Sequence, residues 1–148
     1  MDQIQGIINV NVPVRSTIVK LKGGGLFVYN PVAPTRECLE YVRSLEKAHG
    51  AVKHIVLGTL GLEHKALAGP FSQFFPEAQV WLQPGQWSFP VNLPNYFLGF
   101  PSGDRLKEIP NTESGSTTNP WADDFEFEVL GKLSFKSVGG FGETAFYH

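Results

Sequence analysis

The residues best suited to chemistry in this sequence are Glu63 and His64, which stand side by side after a short apolar run. Residues 54–58 form that run and are typical of a buried strand, and the segment after His64 is rich in Ala, Leu and Phe. A carboxylate and an imidazole at the carboxyl end of a parallel strand can bind a metal ion or move a proton, and α/β proteins usually build their sites there. The pair is therefore the candidate site.

Composition limits the class of protein. The chain has 148 residues, a net charge of −2 and 42% hydrophobic residues, which fits one globular domain and argues against a nucleic-acid surface. Its single cysteine, Cys38, excludes an internal disulfide and a cysteine-based zinc site. No apolar run reaches the length of a membrane span and no signal peptide is visible, so we expect a reducing compartment such as the cytoplasm.

The first half of the chain predicts strands followed by a helix. Residues 5–12, 14–22 and 26–30 are typical of strands, with Pro13 breaking the ladder. The triple glycine at 23–25 lacks the Lys-Ser/Thr ending of a phosphate loop, so it predicts a hairpin turn. Thr35 is positioned to cap a helix that ends at about His49, before Gly50. Its predicted buried face consists of Cys38, Tyr41, Val42, Leu45 and Ala48.

The second half predicts a helix over 65–75 that is either kinked at Gly69-Pro70 or divided there into two short pieces, then a strand over 78–82. Helix and strand alternate, which indicates a mixed α/β domain with helices packed on a sheet. Residues 83–120 predict an irregular loop whose polar second part is mobile. The end predicts a hairpin with a three-residue loop at 130–132 that sets Phe127 opposite Phe135, and a last strand over 143–147.

The aromatic part of that loop is the candidate docking surface. Prolines interrupt residues 84–101, so no helical or strand period can hide all of its large apolar side chains. We expect Trp87 and Phe89 to face the domain's own core. The side chains predicted to contact a partner protein or a lipid surface are Tyr96, Phe97, Leu98 and Phe100. The alternative is that the whole loop folds back as a lid over the domain.

Several segments together resemble a known family. They are 12–17, 24–29, 31–35, 61–65, 75–78, 84–88 and 142–148. On these segments the chain resembles the metallo-β-lactamase-like superfamily, and more closely an uncharacterised branch of it from algae, plants and photosynthetic bacteria. The resemblance implies about half of an αββα sandwich, a mixed sheet with helices on one face. Half of that sandwich would leave one sheet edge and one apolar layer uncovered. Two kinds of explanation stay open, a chain truncated at its C-terminus relative to a longer protein, and a subunit whose surface another protein covers.

The same resemblance bears on the candidate site. Active members carry Thr-His-x-His-x-Asp-His after a strand, and in the matching stretch 59–64 only Glu63 and His64 resemble its end. Gly139 stands where a further ligand histidine is expected. The resemblance therefore implies a degenerate site with no catalysis, no metal and no cofactor.

These points lead to an expected function. We expect a single domain over 1–148 that acts as a non-catalytic accessory subunit, with a partner protein covering the strand 141–147 and the aromatic loop. The resemblance implies a plastid and a photosynthetic membrane complex as partner, and peripheral membrane contact stays open. The net charge argues against nucleic acid as a partner. Two alternatives stay open. One is a mononuclear metal-dependent hydrolase using Glu63 and His64, and the other is a small-molecule binding module using the aromatic loop.

Overall fold

The structure is a computed structural model that describes residues 1–7, 10–86, 92–110, 120–135 and 139–147. Its helices are α1 (Arg36–His49) and α2 (Leu62–Gln73). Its strands are β1 (Asp2–Ile7), β2 (Val10–Arg15), β3 (Thr17–Lys20), β4 (Leu26–Tyr29), β5 (Val52–Leu57), β6 (Gln79–Leu82), β7 (Leu106–Glu108), β8 (Glu126–Phe135) and β9 (Gly139–Tyr147). Short 3₁₀ helices cover Asn95–Leu98, called the aromatic turn below, and Gly103–Arg105.

Five strands form the central sheet, in the order β3-β4-β5-β6-β7. β3 is antiparallel to β4, whereas β4 to β7 run parallel to one another. Side chains alternate across this sheet, so that Val28 and Ile55 join one apolar cluster while Phe27 and Val56 join another. Both helices contribute buried residues to the first cluster and therefore lie on one face. The predicted mixed α/β class is confirmed.

The second face of the sheet is also covered, by the C-terminal part of the chain. Phe27 lies with its ring centroid 5.5 Å from that of Trp121 and 5.2 Å from that of Phe146. Trp121 and Phe125 are 1% and 5% exposed, so this aromatic layer excludes water. The expectation of an uncovered apolar layer is therefore wrong. The aromatic rings that follow residue 120 form the second apolar cluster of the domain together with side chains of the central sheet.

The C-terminal hairpin differs from the prediction. β8 continues through 130–132 and pairs with β9, and Phe127 lies opposite Phe146 instead of Phe135. One extra residue on β8 forms a bulge between Leu130 and Leu133, which bends the strand without ending it. The longer pairing holds the Phe127 and Phe146 rings stacked over the sheet, 5.6 Å apart. Aromatic packing against Trp121 therefore decides the register.

The N-terminal residues form a hairpin of their own. β1 and β2 pair from Asp2 opposite Arg15 to Ile7 opposite Val10. Pro13 lies within β2 opposite Ile4, so the prediction that it breaks the ladder is wrong. Met1 and Ser16 exchange both backbone hydrogen bonds. Because such pairs alternate with unbonded ones in an antiparallel ladder, Pro13 occupies an unbonded pair, where its missing N–H costs nothing.

Local signals placed α1 and the glycine turn correctly. Thr35 accepts a hydrogen bond from the Cys38 amide at 3.3 Å, and α1 ends before Gly50, which has φ of 97°. Residues 23–25 connect the antiparallel strands β3 and β4, as a hairpin turn should. Tyr41, predicted to be buried, is 52% exposed. α2 starts three residues earlier than predicted and holds Pro70 within it.

The predicted irregular loop carries more structure than expected. Besides the two 3₁₀ helices, residues 106–108 form β7, which adds a parallel edge strand to the sheet. Ile109 directly after it is 1% exposed and belongs to the second apolar cluster. Trp87 and Phe89 lie outside the described residues, as does the predicted mobile stretch 111–119.

Candidate functional site

The carboxyl ends of β4, β5 and β6 bring polar residues together. Asn30 follows β4 with φ of 47°, a left-handed conformation that is uncommon outside glycine. Its side-chain Oδ1 accepts a hydrogen bond from the Gly58 amide at 2.9 Å, which ties the end of β4 to the end of β5. Thr59 after β5 and Gln83 after β6 are 7% and 2% exposed. This is the edge of a parallel sheet at which ligands usually bind.

In this protein β9 occupies that edge. Thr144, which is fully buried, donates a backbone hydrogen bond to the Gly58 carbonyl at 2.7 Å, and its hydroxyl donates to the Gln83 side-chain oxygen. The Tyr29 hydroxyl donates to the Thr144 carbonyl at 2.8 Å. Burial and the negative charge of Glu143 raise the pKa of Tyr29 well above its usual value, so the phenol stays a neutral donor. A segment of the chain itself thus satisfies the polar groups at the strand ends.

The strand 141–147 was expected to be an open edge that a partner protein covers. β9 pairs with β8 along one side, and on its other side Glu143 bridges to Thr59. The Leu60 amide also donates to the Gly142 carbonyl at 3.1 Å. At these residues both sides of the strand are paired within the chain, so the expectation of an open edge there is wrong. Two aromatic side chains of β9, Phe141 and Tyr147, are nevertheless 60% and 57% exposed.

Glu63 and His64 lie in the first turn of α2 and are both partly buried. Gly61 caps this helix without a side-chain hydrogen bond, and the Glu63 carboxylate folds back so closely that a Cβ on Gly61 would lie 2.6 Å from its Oε1. Nδ1 of His64 is buried and has no hydrogen-bond partner among the described residues. In the described part of the chain, the structure gathers no group of three or more His, Cys, Asp or Glu side chains that could hold a metal ion.

Sequence reasoning missed the lysine next to this pair. Lys65 is 1% exposed, and burial lowers its pKa to about 8. It shares a buried stripe of α2 with Ala68 and Ser72, three and seven residues later. That spacing was the available signal, because residues at i, i+3 and i+7 lie on one face of a helix. A lysine on a core-facing stripe is uncommon, since burying a charge is costly.

His54 belongs to the aromatic layer on the second face and not to the strand-end site. Its Nδ1 accepts a hydrogen bond from the Trp81 indole N–H at 3.1 Å, and its ring lies 5.6 Å from that of Trp121. Burial lowers its pKa to about 4, so the imidazole is neutral near pH 7. Because Nδ1 is the acceptor, the proton of the neutral ring sits on Nε2.

The predicted docking residues divide into exposed and buried ones. Tyr96 and Phe97 are each 60% exposed, and their rings stack with centroids 4.7 Å apart. Leu98 is half-buried against the helix-side core, and Phe100, at 4% exposed, belongs to that core. Phe100 therefore cannot form part of an exposed docking surface. Its burial anchors the chain directly after the aromatic turn.

The aromatic turn is fixed against α2. The Leu98 carbonyl approaches Gly69 so closely that a Cβ there would lie 2.0 Å from its oxygen. The Gln73 side chain donates to the Gly99 carbonyl at 3.2 Å, and Gly99 has φ of 81°, which lets the chain reverse direction. Gly69 is thus the residue of α2 that permits this close approach. Among the described helices, neither is long and apolar enough to cross a membrane.

Comparison with known proteins corrects the resemblance drawn from the sequence. The family model that matches is "Domain of unknown function (DUF4336)", over residues 1–148, and no metallo-β-lactamase family model matches. No curated protein and no solved structure gives a significant match. The plastid and the photosynthetic membrane complex were implied by that resemblance alone and are withdrawn with it. Its motifs are short segments rich in Gly and Pro, which turns of unrelated proteins share. The chain belongs to the DUF4336 family.

Proposed function

We propose that this protein is a non-catalytic interaction subunit that docks onto another protein through the aromatic turn. The observation that carries the proposal is the exposure of Tyr96 and Phe97, 60% each, on a turn whose backbone is held in place. Aromatic side chains in water forgo the stabilisation that burial would bring, about 2–3 kcal/mol for a large one. Tyr and Phe are also among the residues enriched at the centres of protein interfaces.

The rigidity of the turn favours docking. Leu98 and Phe100 insert into the domain core, and Gln73 holds the Gly99 carbonyl from α2. The two rings are stacked on each other before any partner arrives. A surface whose side chains are already ordered loses little conformational entropy on binding, so more of the contact energy appears as affinity.

Charge favours a protein partner over an anionic lipid surface. The two cationic side chains described in 92–110 are both engaged elsewhere. Arg105 donates to the carbonyls of Ser72, Phe75 and Ala78, and Lys107 lies over the Trp81 ring at 5.6 Å. Binding to anionic lipid relies on clustered, available lysine and arginine. An interface centred on stacked Tyr and Phe has no such requirement.

The test is a double variant, Tyr96→Ser with Phe97→Ser, made in the full chain. Affinity capture from the native source, followed by rebinding of the purified captured protein, measures association, and thermal unfolding measures stability. Because both side chains are exposed, we expect association to be lost with a change in Tm of at most about 2 °C. Tyr147→Ser is the matched control, since Tyr147 is 57% exposed on β9 and should leave association unchanged.

Three outcomes would contradict the proposal. Unchanged association of the double variant would exclude the aromatic turn as the docking surface. A large fall in Tm would show that the rings stabilise the domain as a lid. Binding to phosphatidylcholine–phosphatidylserine vesicles that the double variant loses, without protein capture, would favour a lipid surface.

A further inference from the structure

A second surface, distant in sequence from the aromatic turn, is the outer edge of β1. Met1 and Ser16 exchange both backbone hydrogen bonds, at 2.8 Å each. Because bonded and unbonded pairs alternate along an antiparallel ladder, the N–H and C=O groups of Asp2, Ile4 and Gly6 point away from β2. Among the described residues, none of these backbone groups has a hydrogen-bond partner. β1 therefore presents an open edge of three residues.

This edge lacks the devices that usually protect edge strands. Such devices are lysine side chains, proline and inward-pointing charges. The sequence of β1 is Asp-Gln-Ile-Gln-Gly-Ile, and its one charged residue, Asp2, is paired with Arg15 at 2.7 Å. Ile4 at its centre is 77% exposed. By contrast, β7 at one edge of the central sheet carries Lys107 and Glu108, both exposed. The β1 edge is thus open to pairing with another chain.

A groove of about 720 Å³ runs along this edge, between β1 and the first turns of α1. Consecutive residues of β1, whose side chains lie on opposite faces of the strand, both line the groove. Gln3 points toward the body of the domain, whereas Ile4 is exposed. The groove therefore follows the edge of the strand and not one face of the hairpin. Its other wall is formed by Thr35, Cys38 and Tyr41 of the α1 region.

The width of the groove is fixed by one side chain. The Gln3 amide donates to the Ala33 carbonyl at 3.1 Å and accepts from the Ala33 amide at 3.0 Å. These paired bonds hold β1 at a set distance from the segment that leads into α1. The groove is thus formed before a ligand binds, which lowers the entropy cost of binding.

We propose that β1 and α1 form a peptide-binding groove that takes an extended segment of a partner protein by strand addition. The segment is apolar at alternate positions and carries a lysine or arginine. Its backbone would bond to Asp2, Ile4 and Gly6, and its alternate side chains would enter the groove against Ile4, Cys38 and Tyr41. A volume of several hundred Å³ is in the range of ligand pockets. This surface is separate from the aromatic turn of the proposed function.

The charged groups that line the groove are the reason to expect a lysine or arginine in the peptide. Glu37 lines the groove in the first turn of α1, and it has no ion-pair partner among the described residues. The neighbouring acidic residue, Asp2, is already neutralised by Arg15. The Met1 ammonium also lines the groove, where it donates to the Ser16 carbonyl at 2.8 Å, so Glu37 is the acidic group left for a cation on the peptide. An exposed pair of this kind is worth about two- to fivefold in affinity.

A second copy of the chain suits this edge less well. Antiparallel pairing of two β1 strands would join only Asp2, Ile4 and Gly6 of each copy, and such a contact buries far less than the roughly 1,200 Å² of a stable interface. It would also leave the groove unfilled. The inward-facing Gln3 of the second copy is bound to its own Ala33. An extended peptide can fill the groove, and none of its side chains is bonded elsewhere beforehand.

The test uses an array of immobilised pentapeptides with apolar residues at alternate positions and Lys, Glu or Ser in the middle, with binding of the full chain as readout. We expect peptides with a central Lys to bind more tightly than their Glu counterparts by about two- to fivefold, and Glu37→Gln to remove that difference. Amide hydrogen exchange at Ile4 and Gly6 should slow when the peptide is bound.

Ile4→Pro tests the backbone contact. Ile4 and Pro13 form an unbonded pair, so proline at position 4 removes an edge N–H without breaking a β1–β2 bond. We expect Ile4→Pro to weaken binding by about tenfold, and Ile4→Ala, which keeps the N–H, to weaken it less. If Ile4→Pro unfolds the hairpin, peptides N-methylated at alternate amides give the same test with the protein unchanged.

Each contrary result overturns the proposal. The first is an array with no binding peptide, and the second is binding that neither Ile4→Pro nor N-methylation weakens. The third is a concentration-dependent dimer that Ile4→Pro abolishes while no peptide binds, which would assign the edge to a second copy of the chain.

Discussion

Gly69→Ala tests whether the close contact between α2 and the aromatic turn is as important as its geometry indicates. A Cβ at position 69 would lie 2.0 Å from the Leu98 oxygen, 2.9 Å from the Leu98 carbonyl carbon and 3.0 Å from the Gly99 carbonyl carbon. All three neighbours are backbone atoms, so no side chain can rotate away. The turn itself must move away from the helix.

Two effects of opposite sign decide the result. Alanine within a helix is favoured over glycine by at most about 1 kcal/mol here, because the ring of Pro70 crowds a Cβ on the preceding residue. Overpacking against backbone costs about 1–3 kcal/mol, and a shift of the turn also exposes part of Phe100, which costs about 1 kcal/mol of the roughly 2–3 kcal/mol that full burial of such a ring contributes. The loss exceeds the gain. We therefore expect Gly69→Ala to lower the free energy of unfolding by about 1–3 kcal/mol, or Tm by about 3–10 °C.

The assay is thermal and urea unfolding of Gly69→Ala beside a matched control. Gly131→Ala is that control, because a Cβ there meets nothing within 4 Å, and we expect it to change the free energy of unfolding by no more than about 0.5 kcal/mol. Gly69→Ala should also weaken association through Tyr96 and Phe97, since it displaces the turn that carries them. A stabilisation of about 1 kcal/mol, the helix effect alone, would refute the contact.

The remaining predictions concern buried polar groups. The pKa of His54 is lowered from 6.5 to about 4, so its contribution to stability is fully present above pH 6.5 and is lost as pH falls toward 4. Because the ring is partly exposed, we expect the free energy of unfolding to fall by about 1–2 kcal/mol between pH 7 and pH 4.5, as measured by urea titration, and to fall less in His54→Leu. An equal fall in the wild type and in His54→Leu would contradict the lowered pKa of His54. The pKa of Lys65 is lowered from 10.5 to about 8, so the charged side chain costs stability below pH 8 and this cost disappears as pH rises to 10.5. The free energy of unfolding of the wild type, measured relative to that of Lys65→Met, should therefore rise by up to about 3 kcal/mol between pH 8 and pH 10.5. If the difference between the two proteins does not change with pH, Lys65 is not a buried lysine with a lowered pKa. Thr144→Val removes the hydroxyl that bonds to Gln83 and should lower the free energy of unfolding by about 1–3 kcal/mol. Thr35→Val, at the exposed cap of α1, should lower it by about 1 kcal/mol. Equal small effects of the two variants would mean that β9 does not close the strand ends.

The sequence by itself determined the elements whose signals are local. Thr35 and Gly50 set the two ends of α1, because a hydroxyl cap and a glycine with positive φ each act within one turn of the helix. The apolar run that became β5 and the glycine turn before β4 were predicted for the same reason. Alternation of helix and strand then led to the mixed α/β class, since parallel strands need crossover helices.

Only the tertiary structure decided which of the aromatic residues are exposed. Tyr96 and Phe100 stand four residues apart in a segment without periodicity, yet one is 60% exposed and the other 4%. The difference depends on Gly69, which is distant in sequence and lets the Leu98 carbonyl approach α2. Tyr41, predicted to be buried, is exposed, and Lys65, for which no burial was predicted, is buried. The reason is that a helix face is defined by what packs on it, and that contact is not encoded within the helix.

The register of the C-terminal hairpin was likewise a tertiary decision. A local turn at 130–132 satisfied the alternation of the sequence, but β8 continues past it and pairs Phe127 with Phe146. That pairing stacks both rings over the sheet beside Trp121 and lets Thr144 close the ends of β5 and β6. A hairpin turn is specified by a few neighbouring residues, whereas burial of an aromatic layer depends on strands more than a hundred residues away, and here the larger burial prevails.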